Sequence, residues 1–473
     1  MEKIGRVTDT WSSRFAFIMA SISSAVGLGS FWRFPYTAGE NGGGAFILIY
    51  VLCVVLIALP ILMAEYAMGR KSGMSAIEGV QSLARAESQS QNWGIVSWTG
   101  ALTSFFILSF YVVVSAWLVA YLMQALSGSL AGASAEASAA AFADTIGQGE
   151  NARQSRWHIL LLLALFVLAN VLVVGRGLKN QLERASAFLM PAFFLMLIGV
   201  AVYAMQNGDA ARTLAFMLEP RWEDVSFRTV LAAIGQAFFS IGVGMAVMTT
   251  YGAYARPDIN IPRTSGIIAG ADTLIALIAG FAIFPIVFAA AIDPATGPGL
   301  FFVAMPVAFE AIPGGGAIAG VFFLLALFAA FNCSVALMEV SVSWLAEREG
   351  VTRPGAALGI GLVLFMIGAA FVFSFDYLQF VDFITEGLLL PLGGLLAAVF
   401  AGWVLSREML ISELGEGAVM NIWRFLIRWL VPPFVAVVLV FGFLDMLQDE
   451  YHVPLPAMLE SVVGPDWVAP PAA

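Results

Sequence analysis

The chain has 473 residues, of which 60% are hydrophobic and only 11% charged, and its mean hydropathy is +0.90. A soluble domain carries about 25% charged residues, so the composition excludes a soluble globular protein and points to a polytopic membrane protein. The net charge of −10 excludes the basic footprint of a nucleic-acid binder. Cys53 and Cys333 lie in separate apolar runs without zinc-type spacing, so neither a disulfide framework nor a metal cluster is implied. No cleavable leader is expected, because the N-terminal segment is polar and the first apolar run continues past any small-residue cleavage site.

A spanning helix needs about 20 mostly apolar residues. Eleven segments qualify, at about 14–38, 44–69, 96–127, 157–174, 186–206, 228–254, 264–292, 318–346, 354–373, 381–405 and 421–446. The connection over 128–151 is small, polar and acidic, the tail over 447–473 is Pro-rich and acidic, and both read as surface. Lys and Arg concentrate in cytoplasmic loops. Lys3, Arg6, Arg70, Lys71, Lys179 and Arg263 fall on one side, against fewer such as Arg153, Arg212 and Arg221 on the other. The N-terminus is therefore expected inside and, with an odd number of spans, the C-terminus outside.

The first segment reads "SSAVGLGSFWRFPY" and the sixth "AFFSIGVGMAVMTTY", so Gly27-Leu28-Gly29 is echoed by Gly242-Val243-Gly244 in the first helix of a second group of five. Glycine inside a helix costs about 1 kcal/mol. Taken alone, "GLG" reads as a packing notch between helices. The pair reads as two discontinuous helices, which mark a transporter's midplane site. A broken helix frees N–H groups that attract an anion and carbonyls that attract a cation, so a zwitterion with a cation beside it fits. Asp272, in "IIAGADTLIALIAGF", would cost at least about 3 kcal/mol at mid-membrane; it either holds a cation or sits near a helix end. Arg33 likewise needs a partner.

These stretches, with "LPILMAEYAMGR", "LIALIAGFAIFPIVF" and "LLPLGGLLAAVFAGWVL", resemble the neurotransmitter:sodium symporters in their bacterial amino-acid branch. The likeness runs from residue 11 to about 446. It implies an all-α membrane protein with the LeuT fold, a five-plus-five inverted repeat in one transmembrane domain over 1–473. Repeat 1 falls at about 11–206, repeat 2 at about 228–405 and an extra helix at about 421–446, without the family's twelfth helix. It further implies sodium-coupled uptake by alternating access and no organic cofactor.

Position by position, the resemblance places a substrate carboxylate against Gly29 and the Tyr111 hydroxyl, with Phe239 as lid. Ala25, Leu28, Ile107, Ser240, Gly242, Gly244, Met245, Cys333, Ser334 and Leu337 complete the substrate site. Gly27 stands where monoamine carriers have an aspartate, which favours a substrate bringing its own carboxylate. The first sodium site maps to Ala25, Ser30, Ser240 and Asp272, oxygen donors suited to a hard cation. The second maps to Ser23, Val26, Ala329, Asn332 and Cys333, although a thiol is a poor sodium ligand. Ser30 replaces an asparagine and Cys333 a serine, so one or two ions remain open. Asp272 supplies a charge that chloride-dependent relatives take from the anion, so chloride is expected to be dispensable. Arg33 and Asp382 correspond to the outer gate, with a static salt bridge as the plainer reading. Glu65 corresponds to the carboxylate that supports broken helix 6. Arg6, near the position of the family arginine that is Thr8 here, is the candidate to meet Glu347 at the inner gate.

The expected substrate is a neutral amino acid with a medium-to-large apolar side chain, with small or taurine-like ω-amino acids as the alternative. A transport-impaired sensor on the same fold is a further alternative. An enzyme is not expected, since His158 and His452 form no catalytic constellation. The bilayer of the plasma membrane is the expected location.

Overall fold

Polar caps start the helices and glycines stop them. Ser13 begins the first by accepting a hydrogen bond from the Ala16 N–H at 3.1 Å. Asn260 and Thr352 cap two later helices in the same way. Gly73 and Gly128 end two others in the left-handed region, at φ 61° and 75°, where the absence of a Cβ removes the steric penalty. A computed structural model describes residues 10–130, 132, 134–177, 183–295 and 299–449, with side chains as far as 444. The N-terminal Lys3, Arg6 and Thr8, together with Lys179 and the tail from 450, lie outside the described residues.

Among the described residues, nine continuous helices are long and apolar enough to cross a bilayer: Gly44–Ser72, Gln91–Ser127, Ala152–Gly175, Glu183–Asn207, Ile261–Ala289, Gly315–Ala346, Arg353–Phe373, Phe375–Val404 and Ala418–Leu444. Arg14–Ala25 and Gly29–Glu40 form another, bent by 52° at its break. Phe227–Ile241 and Val247–Ala253 flank a second non-helical stretch. In chain order these are spans 1 to 11, with spans 1 and 6 broken, matching the eleven expected segments among the described residues. Span 3 packs along span 8, and span 4 along span 9. Spans 1 and 2 likewise contact spans 6 and 7, so the first four spans each lie against the counterpart five spans later. This arrangement puts both breaks at the centre, where protein can satisfy the freed backbone groups.

The connection over 128–151 departs from the expectation of plain surface. It carries a helix, Ala135–Thr145, capped by Ser134, and Phe142 stacks on Phe302 with ring centroids 5.4 Å apart. Its run of alanines and small polar residues has no apolar stripe, so the sequence gives no periodic signal. The short helices over Leu300–Phe309 bring Phe301 and Phe302 to the same outer end.

Candidate functional site

Span 1 breaks where Val26 leaves the helical region. A Cβ on Gly27 would stand 2.8 Å from the Tyr111 hydroxyl and 3.0 Å from Cys333 Sγ, so only glycine lets the break approach spans 3 and 8 this closely. The Leu28 N–H donates to the Tyr111 hydroxyl at 2.9 Å, and the Ala25 carbonyl accepts from the Gly27 N–H at 2.9 Å. Gln236 Nε2 donates to the Gly29 carbonyl at 2.9 Å. In span 6, Gly242, Gly244 and Ala246 all have positive φ, at 74°, 82° and 58°. Ala246 is held in this costly conformation by its neighbours. Ser104 Oγ donates to the adjacent Met245 carbonyl, and the Gly244 N–H donates to Glu65 Oε1 at 2.7 Å. Glu65 thus reaches the span 6 break from span 2.

A small cavity of about 20 Å³ lies between the breaks, lined by Ala25, Gly29, Ile107, Tyr111, Phe239, Gly242, Met245, Cys333 and Leu337, with Ser24, Gly27, Val247, Met248 and Ala336. Nine of the expected substrate-site residues meet here. Four do not. Ser334 turns to span 4, where its hydroxyl donates to Asn170 Oδ1 at 2.8 Å. Gly244 backs onto span 10, where a Cβ would meet the Leu390 carbonyl at 2.6 Å. Leu28 lines a neighbouring vestibule instead. Ser240 joins the neighbouring polar cluster. Cys333 directs its sulfur at the cavity and at Gly27, which favours the substrate wall over an ion shell.

That cluster surrounds Asp272, which is fully buried. Ser30 Oγ donates to Asp272 Oδ1 at 2.5 Å, and Ser240 Oγ donates to Oδ2. Ser30 and Ser240 are 2.9 Å apart, and the Tyr50 hydroxyl lies 3.1 Å from Ser240 Oγ. Tyr50 has no charge or motif to single it out in the sequence. One carboxylate and three hydroxyls form an all-oxygen donor set that suits sodium, provided the hydroxyls rotate their lone pairs inward. Near the second expected site, Ser23 Oγ is buried with no hydrogen-bond partner among the described residues, and Ala329 and Asn332 are buried on span 8.

Across Phe239 from the cavity, toward Arg33, is a vestibule of about 310 Å³. Phe239 and Tyr111 line both spaces, so these two rings divide them. The Arg33 guanidinium lies over the Phe239 ring, 4.8 Å from its centroid. Its ion-pair partner is Glu386, not the expected Asp382, although both carboxylates line the vestibule. They are one helical turn apart on span 10, and the later one reaches the arginine. At the opposite end of the bundle, Trp11 is buried and its indole N–H donates to the Tyr251 carbonyl at 3.1 Å. Ser12 donates from both N–H and Oγ to Glu183, at 2.7 and 2.6 Å. Glu339 accepts from Tyr254 at 2.6 Å and pairs with Arg353. Glu347, proposed for Arg6, accepts from the Ser75 N–H at 2.7 Å and Ser75 Oγ at 2.5 Å. Burial raises the Glu347 carboxyl above its ordinary value, against the pull of those two bonds.

Two broken spans around a small central cavity, with a buried carboxylate–hydroxyl cluster beside it, define a secondary transporter. The sodium:neurotransmitter symporter family model matches residues 8–152 and 143–463, and the chain belongs to that family. It is 34% identical to the uncharacterized sodium-dependent transporter YhdH of Bacillus subtilis (strain 168), over 91% of this chain and 96% of that protein. It is 26% identical to the sodium-dependent nutrient amino acid transporter 1 of Drosophila pseudoobscura pseudoobscura, over 76% of this chain and 63% of that protein. The crystal structure of MhsT in complex with L-phenylalanine is similar at a TM-score of 0.83 and 34% identity, covering 92% of this chain and all of that one. The expected LeuT fold is therefore present, and the chain is a sodium-dependent transporter rather than an enzyme.

Proposed function

We propose that the chain imports a neutral amino acid with a medium-to-large apolar side chain together with sodium, by alternating access and without a requirement for chloride. The observation that carries this reading is the juxtaposition at the breaks. The Tyr111 hydroxyl, which accepts from the Leu28 N–H, lines an apolar cavity, while Ser30 of span 1 and Ser240 of span 6 turn to Asp272. A carboxylate at Leu28 and Tyr111 and a cation at Asp272 would neutralise one another in a medium where either alone is costly. Asp272 supplies the negative charge, so no anion is required. The orphan Ser23 hydroxyl supports a second ion at the span 1 break. The loop charges support a cytoplasmic N-terminus and an external C-terminus in the plasma membrane.

The small volume of the cavity favours a second reading, a small or ω-amino acid. Its wall contains Met245 and Met248, whose flexible side chains can repack around a larger ligand, and MhsT holds phenylalanine. The test is uptake into proteoliposomes driven by an inward sodium gradient, across a panel from alanine and taurine to leucine and phenylalanine, with gluconate replacing chloride. Uptake of leucine or phenylalanine in gluconate is expected. Preference for alanine or taurine would select the second reading, and sodium-dependent binding without uptake would make the chain a sensor.

A further inference from the structure

At the floor of the cavity, on the half of span 6 that follows the break, Met248 separates the substrate space from a tyrosine. Met248 is fully buried and lines the cavity. A Cβ on Gly242, another lining residue, would find only the Met248 ε-methyl within reach, at 3.7 Å. On its far side the Met248 sulfur accepts a hydrogen bond from the Tyr66 hydroxyl at 3.1 Å. Tyr66 is buried on span 2 and fixed edge-on against Phe17 of span 1, ring centroids 5.2 Å apart. It does not line the cavity. The neighbouring Glu65 holds Gly244, so span 2 fixes both the break and the methionine that follows it.

We propose that Met248 screens the Tyr66 hydroxyl from the bound side chain, and so makes the site discriminate against amino acids whose side chain ends in a hydroxyl. This rests on the amino-acid reading above. With its carboxylate at Leu28 and Tyr111, the ligand extends its side chain toward Gly242, Met245 and Met248. There it meets methyl and methylene groups, because the Tyr66 hydroxyl is engaged with sulfur on the other face of Met248 and the Ser24 hydroxyl with the Ser21 carbonyl. A phenol buried at such a floor lacks a partner, and an apolar pocket rejects an added hydroxyl by about 100-fold at most. Phenylalanine should therefore bind better than tyrosine. Removing the Met248 side chain beyond Cβ opens the way to Tyr66, whose freed hydroxyl can donate to and accept from the phenol.

The test is sodium-dependent displacement of labelled phenylalanine from purified protein by phenylalanine and by tyrosine, comparing the ratio of their inhibition constants. The unmutated protein should favour phenylalanine by about 10- to 100-fold. Met248→Ala should lower that ratio at least tenfold, Tyr66→Phe should leave it high, and the double variant should restore it. Met248→Val, which also removes the sulfur and ε-methyl, gives the same comparison should the alanine variant fold poorly. An unchanged ratio in both Met248 variants, or a double variant that behaves like Met248→Ala alone, would overturn the proposal. If the unmutated protein binds no amino acid in sodium, the functional reading itself fails, and this inference with it.

Discussion

Asp272 is held by donors that must turn around for an ion to bind. Ser30 and Ser240 now spend their protons on it, and a cation would instead take their lone pairs and one carboxylate oxygen. Asp272→Asn keeps an oxygen and removes the charge. Sodium half-saturation of substrate binding should therefore rise by about tenfold or more, in line with ~1.5–3 kcal/mol for a charge-assisted contact, and chloride should begin to stimulate uptake. Both effects are read from sodium titrations in chloride and in gluconate. A variant with unchanged sodium dependence would make Asp272 structural. Arg33 supports a second comparison, since it pairs with Glu386 while Asp382 stands one turn away. Glu386→Gln should slow uptake several-fold more than Asp382→Asn, because only the first removes the direct partner of a half-buried cation, where a lost partner is costly. The sequence shows two carboxylates four residues apart in one apolar run, and nothing in it tells which reaches the arginine. Asp272, by contrast, stands out in sequence because an acid amid apolar residues demands a partner. Ser334 was misplaced for a reason that helical arithmetic exposes. Cys333, Ala336 and Leu337 share a face at i, i+3 and i+4, and Ser334 is rotated off it toward Asn170.

The two broken spans are legible as elements because glycine pairs recur at matching places, yet the register beyond each break is not. A helix that restarts after several non-helical residues has lost its phase, so the face presented by Val247–Ala253 does not follow from Phe227–Ile241. The sequence therefore gives no sign that Met248 faces the cavity or that Gly244 packs on span 10 instead of lining it. What fixes the new phase is Glu65, through the Gly244 N–H. Its other oxygen, Oε2, is buried without a hydrogen-bond partner among the described residues. Exchanging that oxygen for an amide nitrogen therefore removes no hydrogen bond. Glu65→Gln should retain most of the stability in detergent, while Glu65→Ala leaves the Gly244 N–H unpaired at about 1–3 kcal/mol and should melt earlier. Equal melting of the two variants would show that the Glu65 bond to Gly244 does not stabilise span 6. The connecting helix Ala135–Thr145 was illegible for a different reason. It is held by tertiary contact of Phe142 with Trp117 and Phe302, which no local pattern records.

Across the whole molecule, the Phe239 ring links the span 1 break to the Arg33–Glu386 ion pair. Gly29 touches Phe239 so closely that an added Cβ would meet the ring at 2.6 Å, and Phe239 lies beneath the Arg33 guanidinium paired with Glu386. Cys333 sits below that lid, with its sulfur at the cavity, so the native thiol reports whether the path from outside is open. In a Cys53→Ala background, a membrane-impermeant cationic thiol reagent should modify Cys333 slowly in sodium plus substrate and faster in their absence. Gly29→Ala replaces hydrogen with a methyl group where the ring must lie. Alanine is the better helix former, so folding should persist, but Phe239 cannot seat as it does now. Cys333 should then react about tenfold or more faster from outside, consistent with a barrier lowered by ~1.4 kcal/mol, and substrate should no longer protect it. If Gly29→Ala leaves both the rate and the protection unchanged, the lid does not depend on the span 1 break, and the cavity beneath it is reached by another route.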